Sequence, residues 1–259
     1  MDCLYIVIPA YNEEANIEEV INDWYPVVER NDLSEKSRLL IMDDGSSDHT
    51  FQILEQAAAL RPRLLVVHRE NGGHGATIYD GYQYAILAGA DYIFQTDSDR
   101  QTLPEEFGKF WEKREEADIL IGNRIHRQDG PARVFTAKVL KFVLFSLFHV
   151  SVRDANTPYR LMKADILKEE LSFVPKQYFL CNVLLSALYA KHERRCFYLP
   201  ITFRERQGGK NSIDMKKIFG IGRRAVKEFY QISKKIQVNP AEMTVKQNDN
   251  NDRNNSDTK

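Results

Sequence analysis

Short apolar runs alternate with mixed polar and apolar stretches through the first hundred residues. Residues 3–8 predict a strand and residues 14–30 a helix. Residues 38–42 (RLLIM) predict a second strand, and 49–60 a second helix. A third strand is expected over 63–67, a third helix over 75–89, and a fourth strand over 91–96, running into Asp97. This alternation predicts βαβ units, hence an α/β domain with a mostly parallel sheet flanked by helices. In such sheets, ligands bind outside the carboxyl ends of the strands. Each polar cluster of this half follows a strand.

The segment 134–150, VFTAKVLKFVLFSLFHV, is densely apolar but interrupted by Lys138 and Lys141. It reads either as an interfacial helix at a membrane or as a core or dimer helix. No stretch reaches the roughly 20 apolar residues that span a bilayer. The polar end of the chain, rich in Asn, Asp and Lys, cannot bury enough surface to offset its ordering entropy. The expected organisation is one domain over residues 1–236 and a disordered tail over 237–259.

The formal net charge of −1 gives no support for a nucleic-acid reader, which would carry a basic excess. Cys3, Cys181 and Cys196 are scattered and form no CxxC pair, so a disulfide framework or zinc site is not expected. A reducing compartment fits, and the N-terminus lacks the basic and long apolar regions of a signal peptide. A cytoplasmic location is expected, peripheral on the cytoplasmic membrane face if 134–150 meets lipid.

Four clusters carry candidate chemistry. In Pro9-Ala10-Tyr11-Asn12-Glu13, Tyr11 can stack on a nucleobase and Glu13 can accept from a ribose hydroxyl; the plainer reading makes Asn12 a helix N-cap. In Asp43-Asp44-Gly45-Ser46-Ser47-Asp48, two carboxylates at a strand end can bind base and ribose, or the stretch is a strand-to-helix turn with Ser47 or Asp48 capping the next helix. Asn71-Gly72-Gly73-His74-Gly75 is a Gly-rich loop before a helix, able to bring backbone N–H groups to phosphate. It lacks the Gly-Lys-Ser/Thr ending of a P-loop. In Asp97-Ser98-Asp99, carboxylates two apart on extended chain can share one Mg²⁺ or Mn²⁺, although Asp-x-Asp alone is common.

Taken together, in this order, the four clusters resemble glycosyltransferase family 2, whose fold is the Rossmann-like GT-A fold. The second half resembles its dolichol-phosphate mannosyltransferase and polyprenyl-phosphate branch. Gln101 matches the last position of Asp-x-Asp-x-Gln, Ile121-Gly122-Asn123-Arg124 matches Ile-Gly-Ser-Arg, and Arg133 falls near a second family arginine. Asp154 to Arg160 resembles Asp-x-x-Ser-Gly-Phe-Arg, and Pro200 to Ser212 resembles Pro-x-x-Phe…Arg…Gly-x-Ser. The chain departs from the pattern in RQGGKNS, about one residue longer than the commonest form, and in YFLCNVL (178–184), where the branch often has a glutamate.

The resemblance implies an inverting, metal-dependent transfer of a sugar from a nucleoside diphosphate sugar to a polyprenyl phosphate such as dolichyl or undecaprenyl phosphate. It implies metal ligation by Asp97, Asp99 and Gln101, and donor contacts from Pro9, Tyr11, Glu13, Asp43, Asp44, Gly75, Asp97 and Ser98. Arg124, Arg133, Arg204, Arg206 and Ser212 would meet the acceptor phosphate, with Asp97, Asp99, Arg124 and Arg206 central to catalysis. Arginine suits that role because its planar fork binds phosphate bidentately. A saccharide hydroxyl is the alternative acceptor, and it would need a general base. A nucleotidyltransferase and a non-catalytic relative are alternatives of other classes. The sugar, the nucleotide and the oligomeric state are not legible.

Overall fold

A computed structural model of the chain describes residues 2–31, 35–124, 131–204, 226 and 228–234, with backbone alone for 131–137. The first half follows the predicted alternation: β1 (Leu4–Ala10), α1 (Ile17–Asn31), β2 (Arg38–Asp43), α2 (Thr50–Ala59), β3 (Leu64–His68), α3 (His74–Leu87) and β4 (Tyr92–Gln95). A 3₁₀ turn at Pro104–Glu106 leads into α4 (Phe107–Glu112) and β5 (Ile119–Arg124). Then follow α5 (Pro131–Phe148), β6 (Arg160–Lys163), α6 (Ala164–Leu171), α7 (Cys181–Lys191) and β7 (Cys196–Ile201). The expected tail lies outside the described residues.

The seven strands form one sheet in the order β3-β2-β1-β4-β6-β5-β7. β1, β2, β3 and β4 pair in parallel, as do β5 and β7, whereas β6 runs antiparallel between β4 and β5. The central strands are buried on both faces, which is why they read as unbroken apolar runs rather than alternating ones.

On one face, Ile17, Val20, Ile21, Trp24, Val27 and Val28 give α1 a buried stripe at three- and four-residue spacing. There the aromatic rings of Trp24, Phe94, Phe107, Phe110 and Tyr159 pack edge to face or tilted, with neighbouring centroids 4.6–5.3 Å apart. The opposite face is covered by α3, α6 and α7, with Leu144 and Phe148 of α5 buried in the same cluster.

This topology brings the distant motifs to one edge. β1 has its successor β2 on one side and β4 on the other, so a crevice opens at the carboxyl ends of β1 and β4. Because β6 is antiparallel, its entry, the 154–160 motif, reaches that same edge beside the exit of β5 at Arg124.

Candidate active site

The loop after β1 is knitted to the loop after β2. Asn12 takes a left-handed conformation (φ 54°) and its Oδ1 accepts from the Ser47 amide at 2.8 Å. It caps no helix, since α1 begins at Ile17. The Glu13 amide donates to the Thr50 hydroxyl, and the Glu13 carboxylate accepts from Asn16 Nδ2 at 2.8 Å, so Glu13 is buried in its own turn. Asp48 accepts from the Thr50 amide at 2.9 Å, but the residue at the N-cap of α2 is His49, not Ser47 or Asp48, and its side chain makes no cap bond. Tyr11 is 49% exposed beside Pro9, a ring available for stacking.

Asp43 and Asp44 do different things. The Asp43 carboxylate is fully buried at the end of β2. Its Oδ2 accepts from His68 Nδ1 at 2.6 Å and meets the Ser46 amide at 3.4 Å, while Oδ1 is buried without a hydrogen-bond partner. His68 in turn stacks on Phe51 with centroids 4.4 Å apart. Asp44 Oδ1 accepts from Arg69 Nη1 and the Gly72 amide, and Oδ2 from the Gly73 amide, each at 2.9 Å. Asp44 therefore shapes the Gly-rich loop. Arg69 completes the clasp by reaching Thr77 at 2.9 Å and Asp80 at 3.2 Å.

α3 starts directly after Gly73 (φ 84°), so its first N–H groups face the crevice. Gly75 packs against the 178–179 segment so closely that a methyl there would lie 2.3 Å from the Tyr178 carbonyl oxygen. Its place in the Gly-rich motif thus has a steric reason besides any approach to phosphate.

Asp97 and Asp99 follow β4, with Ser98 buried between them. Asp97 Oδ1 accepts from Gln95 Nε2 at 3.0 Å and lies 3.7 Å from His74 Nε2; Oδ2 takes no part in either contact. Asp99 Oδ1 accepts from the Gln101 amide at 3.2 Å, and a Thr96–Thr102 hydroxyl pair at 2.7 Å closes the turn. Gln101 Nε2 donates to the Arg204 carbonyl and the Gln101 carbonyl accepts from the Arg204 amide, both at 2.8 Å. Gln101 thus anchors the segment that leaves β7, and only its side-chain oxygen remains for a cation. Among the described residues no group of three His, Cys, Asp or Glu side chains is placed to hold a metal. Two carboxylates and an amide oxygen nevertheless fit Mg²⁺ or Mn²⁺, hard cations that commonly take their remaining ligands from substrate phosphates and water.

In the second half, Arg124 Nε and Nη2 meet Asp154 Oδ2 and Oδ1 at 2.7 Å each, and the guanidinium lies 4.9 Å from the Phe203 ring centroid. Three separate motifs of the sequence therefore converge on one residue. Arg204 is exposed beside them. The side chain of Arg133, and all of Arg206 and Ser212, lie outside the described residues. His68, Arg69 and Gln95 were missed by sequence reasoning; Gln95 left a signal, as a polar residue in a wholly buried strand.

A model of glycosyl transferase family 2 matches residues 5–172. The chain belongs to this family. It is 25% identical over 222 residues to an undecaprenyl-phosphate 4-deoxy-4-formamido-L-arabinose transferase of Pseudomonas fluorescens, covering 85% of this chain and 62% of that protein. It is 26% identical over 216 residues to an undecaprenyl-phosphate mannosyltransferase of Micrococcus luteus, covering 80% and 86% respectively. The chain spans 57–64% of the length of the first three formamido-arabinose transferases it matches. Among solved structures, glucosyl-3-phosphoglycerate synthase of Mycobacterium tuberculosis, in complex with Mn²⁺, UDP and phosphoglyceric acid, superposes with a TM-score of 0.66 at 19% identity, covering 90% of this chain and 78% of that one. That likeness establishes the GT-A fold.

Proposed function

We propose that this chain transfers a sugar from a nucleoside diphosphate sugar to a polyprenyl phosphate. The observation that carries the donor half is the crevice between β1 and β4. It gathers an exposed ring at Tyr11, a buried unmet oxygen on Asp43, the start of α3, and the Asp97–Asp99 pair. Asp43 Oδ1 awaits a donor, and the N–H edge of a nucleobase supplies one while Tyr11 stacks on its face. The first N–H groups of α3 face the diphosphate, while the Gly72 and Gly73 amides before them are held by Asp44. Asp97 and Asp99, with Gln101, would hold a Mg²⁺ or Mn²⁺ ion, which when bound offsets charge on the departing diphosphate.

The acceptor half rests on the relatives, which are named as undecaprenyl-phosphate transferases, and on the arginines of the second half. A phosphate acceptor is already an anion, so no general base is needed. Its oxygen forms a bond to the anomeric carbon as the bond to the diphosphate breaks, from the opposite face, with inversion. Two anions must then lie side by side, and arginines such as Arg124, Arg204 and Arg206 offset their repulsion.

A lipid acceptor also calls for a surface that meets a membrane. Along α5, Lys138, Val139, Lys141, Phe142, Phe145 and Ser146 are exposed, with Phe142 70% and Phe145 60% exposed. Paired rings among lysines suit the interface of an anionic bilayer. Among the described residues no helix is long and apolar enough to cross a membrane.

The test is a mass-spectrometric screen of nucleotide sugars with a short-chain polyprenyl phosphate in Mn²⁺ or Mg²⁺. A glycosyl-phospho-polyprenol product is expected with at least one donor. Rapid transfer to a free saccharide, with polyprenyl phosphate ignored throughout, would replace this acceptor by a sugar hydroxyl.

A further inference from the structure

Behind Asp97 runs a chain of buried hydrogen bonds. Gln95 Nε2 donates to Asp97 Oδ1 at 3.0 Å, Asn182 Nδ2 donates to Gln95 Oε1 at 2.9 Å, and the Tyr82 hydroxyl donates to Asn182 Oδ1 at 3.1 Å. Gln95 and Tyr82 are 0% exposed and Asn182 is 4% exposed. The three residues come from β4, α7 and α3, so the chain crosses the core from one helix layer into the sheet.

The direction of this chain is forced. An ionised carboxylate only accepts, so Gln95 must turn its NH₂ to Asp97 and its carbonyl away. That carbonyl needs a donor, which fixes the Asn182 amide, whose own carbonyl then needs the Tyr82 proton. Burial pushes the Tyr82 hydroxyl well above the usual tyrosine range, so it stays a donor. The far end is backed by a cation. Arg160 is fully buried opposite Gln95 in the β4–β6 register. It donates to the main-chain carbonyl of Asn182 at 3.1 Å, to Ser186 Oγ at 3.4 Å, and to the main-chain carbonyls of Ala155 and Thr157. Asp97 and Arg160 act on the Tyr82 hydroxyl with opposite sign, so the chain lies between a negative and a positive charge.

We infer that Gln95, Asn182 and Tyr82 are positioning residues for Asp97, holding its Oδ1 inward so that Oδ2 is presented to a divalent cation. The inference rests on the metal role proposed for Asp97 and Asp99. None of the three touches the cation. They act through Asp97, by fixing its rotamer, as outer partners of metal ligands do. Asn182 lies in the 178–184 stretch that is without an acid, so the device is made of neutral groups and adds no negative charge beside the diphosphate.

The experiment is a Mn²⁺ titration, read by electron paramagnetic resonance with and without UDP or GDP. It compares the full chain with Asp99→Ala, Gln95→Met, Asn182→Leu and Tyr82→Phe, each accompanied by a melting curve. The wild type is expected to bind Mn²⁺ and Asp99→Ala to lose it. Gln95→Met should bind Mn²⁺ about ten- to a hundredfold more weakly, with smaller losses at Asn182→Leu and smallest at Tyr82→Phe. Nucleotide binding without metal should be unchanged in all three. Tyr82→Phe removes one oxygen only and keeps the series interpretable if a larger change fails to fold. Wild-type Mn²⁺ affinity in folded Gln95→Met and Asn182→Leu overturns the positioning role while leaving the metal site intact. Absence of Mn²⁺ binding by the wild type removes the metal reading itself, and the positioning role with it.

Discussion

Arg124 and Asp154, thirty residues apart, meet in a two-fold ion pair whose side chains are 8% and 9% exposed. The pair joins the end of β5 to the entry of β6, and the guanidinium packs on Phe203. Arg124 is therefore pinned before any acceptor arrives. Removing one partner of a largely buried pair leaves an uncompensated charge, at a cost of about 3–5 kcal/mol. Asp154→Ala is expected to lower the melting temperature markedly and to weaken acceptor-dependent kcat/KM, with donor binding changed little. Chemical denaturation and calorimetry with nucleotide check this. A wild-type melting temperature would show that the pair contributes nothing.

Asp44 and Tyr11 should separate. Both sit in loops where substitution looks cheap from the sequence. Asp44, however, accepts from Arg69, Gly72 and Gly73. Asp44→Ala frees donors that are only partly buried, Gly72 and Gly73 being exposed, so the expected cost is about 1–3 kcal/mol for the whole clasp. It should therefore lower the melting temperature and nucleotide affinity together. Tyr11→Ala, at an exposed ring, should weaken nucleotide affinity with a near-normal melting temperature. Equal melting temperatures for the two variants would contradict the clasp.

Asp99→Ala is expected to abolish cation-dependent activity, and Asp97→Asn to damage it, because a neutral amide is a poorer ligand for a hard cation. Full turnover in excess EDTA would rule out the metal.

On α5, Phe142→Ser with Phe145→Ser should leave the melting temperature unchanged, since both rings are exposed. Sedimentation with anionic vesicles should fall. Salt should release the wild type in proportion to the contribution of Lys138 and Lys141. Unaltered sedimentation of the double variant would move the membrane contact elsewhere.

The thiols give a prediction with a defined sign. Burial pushes Cys181 up to about 12 and Cys196 up to about 11. An unfolded thiol titrates near ~8.5. The folded state holds these protons longer, so the contribution is complete below ~8.5 and is lost as pH rises toward the folded values. Stability should fall between pH 9 and 11, and buried tyrosines such as Tyr82 and Tyr189 add in the same direction. At pH 8, Ellman's reagent should label the native chain slowly and reach all three cysteines only after denaturation. Fast labelling of three thiols in the native chain would show that these sites are open.

The sheet was legible because β1, β2 and β4 are buried on both faces and so carry unbroken apolar runs. Its edges were less so. β1 runs on through Pro9 and Ala10, which sit in register with Met42 and Asp43, and α1 starts three residues later than its composition suggests. β6 is four residues, RLMK, too short to leave a period, and its reversed direction could not be read. The candidate site was legible as residue types at strand ends. The division of labour was not, because a carboxylate that meets backbone amides looks the same in sequence as one that awaits a ligand. Asp43 and Asp44 are neighbours with opposite fates for that reason. The hydrogen-bond chain from Asp97 to Tyr82 links residues up to 100 apart, and only folding brings them together.

The close seat of Gly75 under the Tyr178 carbonyl bears on how this protein would look in a mutational scan. Every side chain at position 75 must displace backbone, so nearly all substitutions there should score as loss of function, whatever the residue does for the donor. A screen that reads activity alone would rank Gly75 with Asp99. Only paired abundance measurements would separate the two, Gly75 variants disappearing from the folded pool while Asp99 variants remain in it.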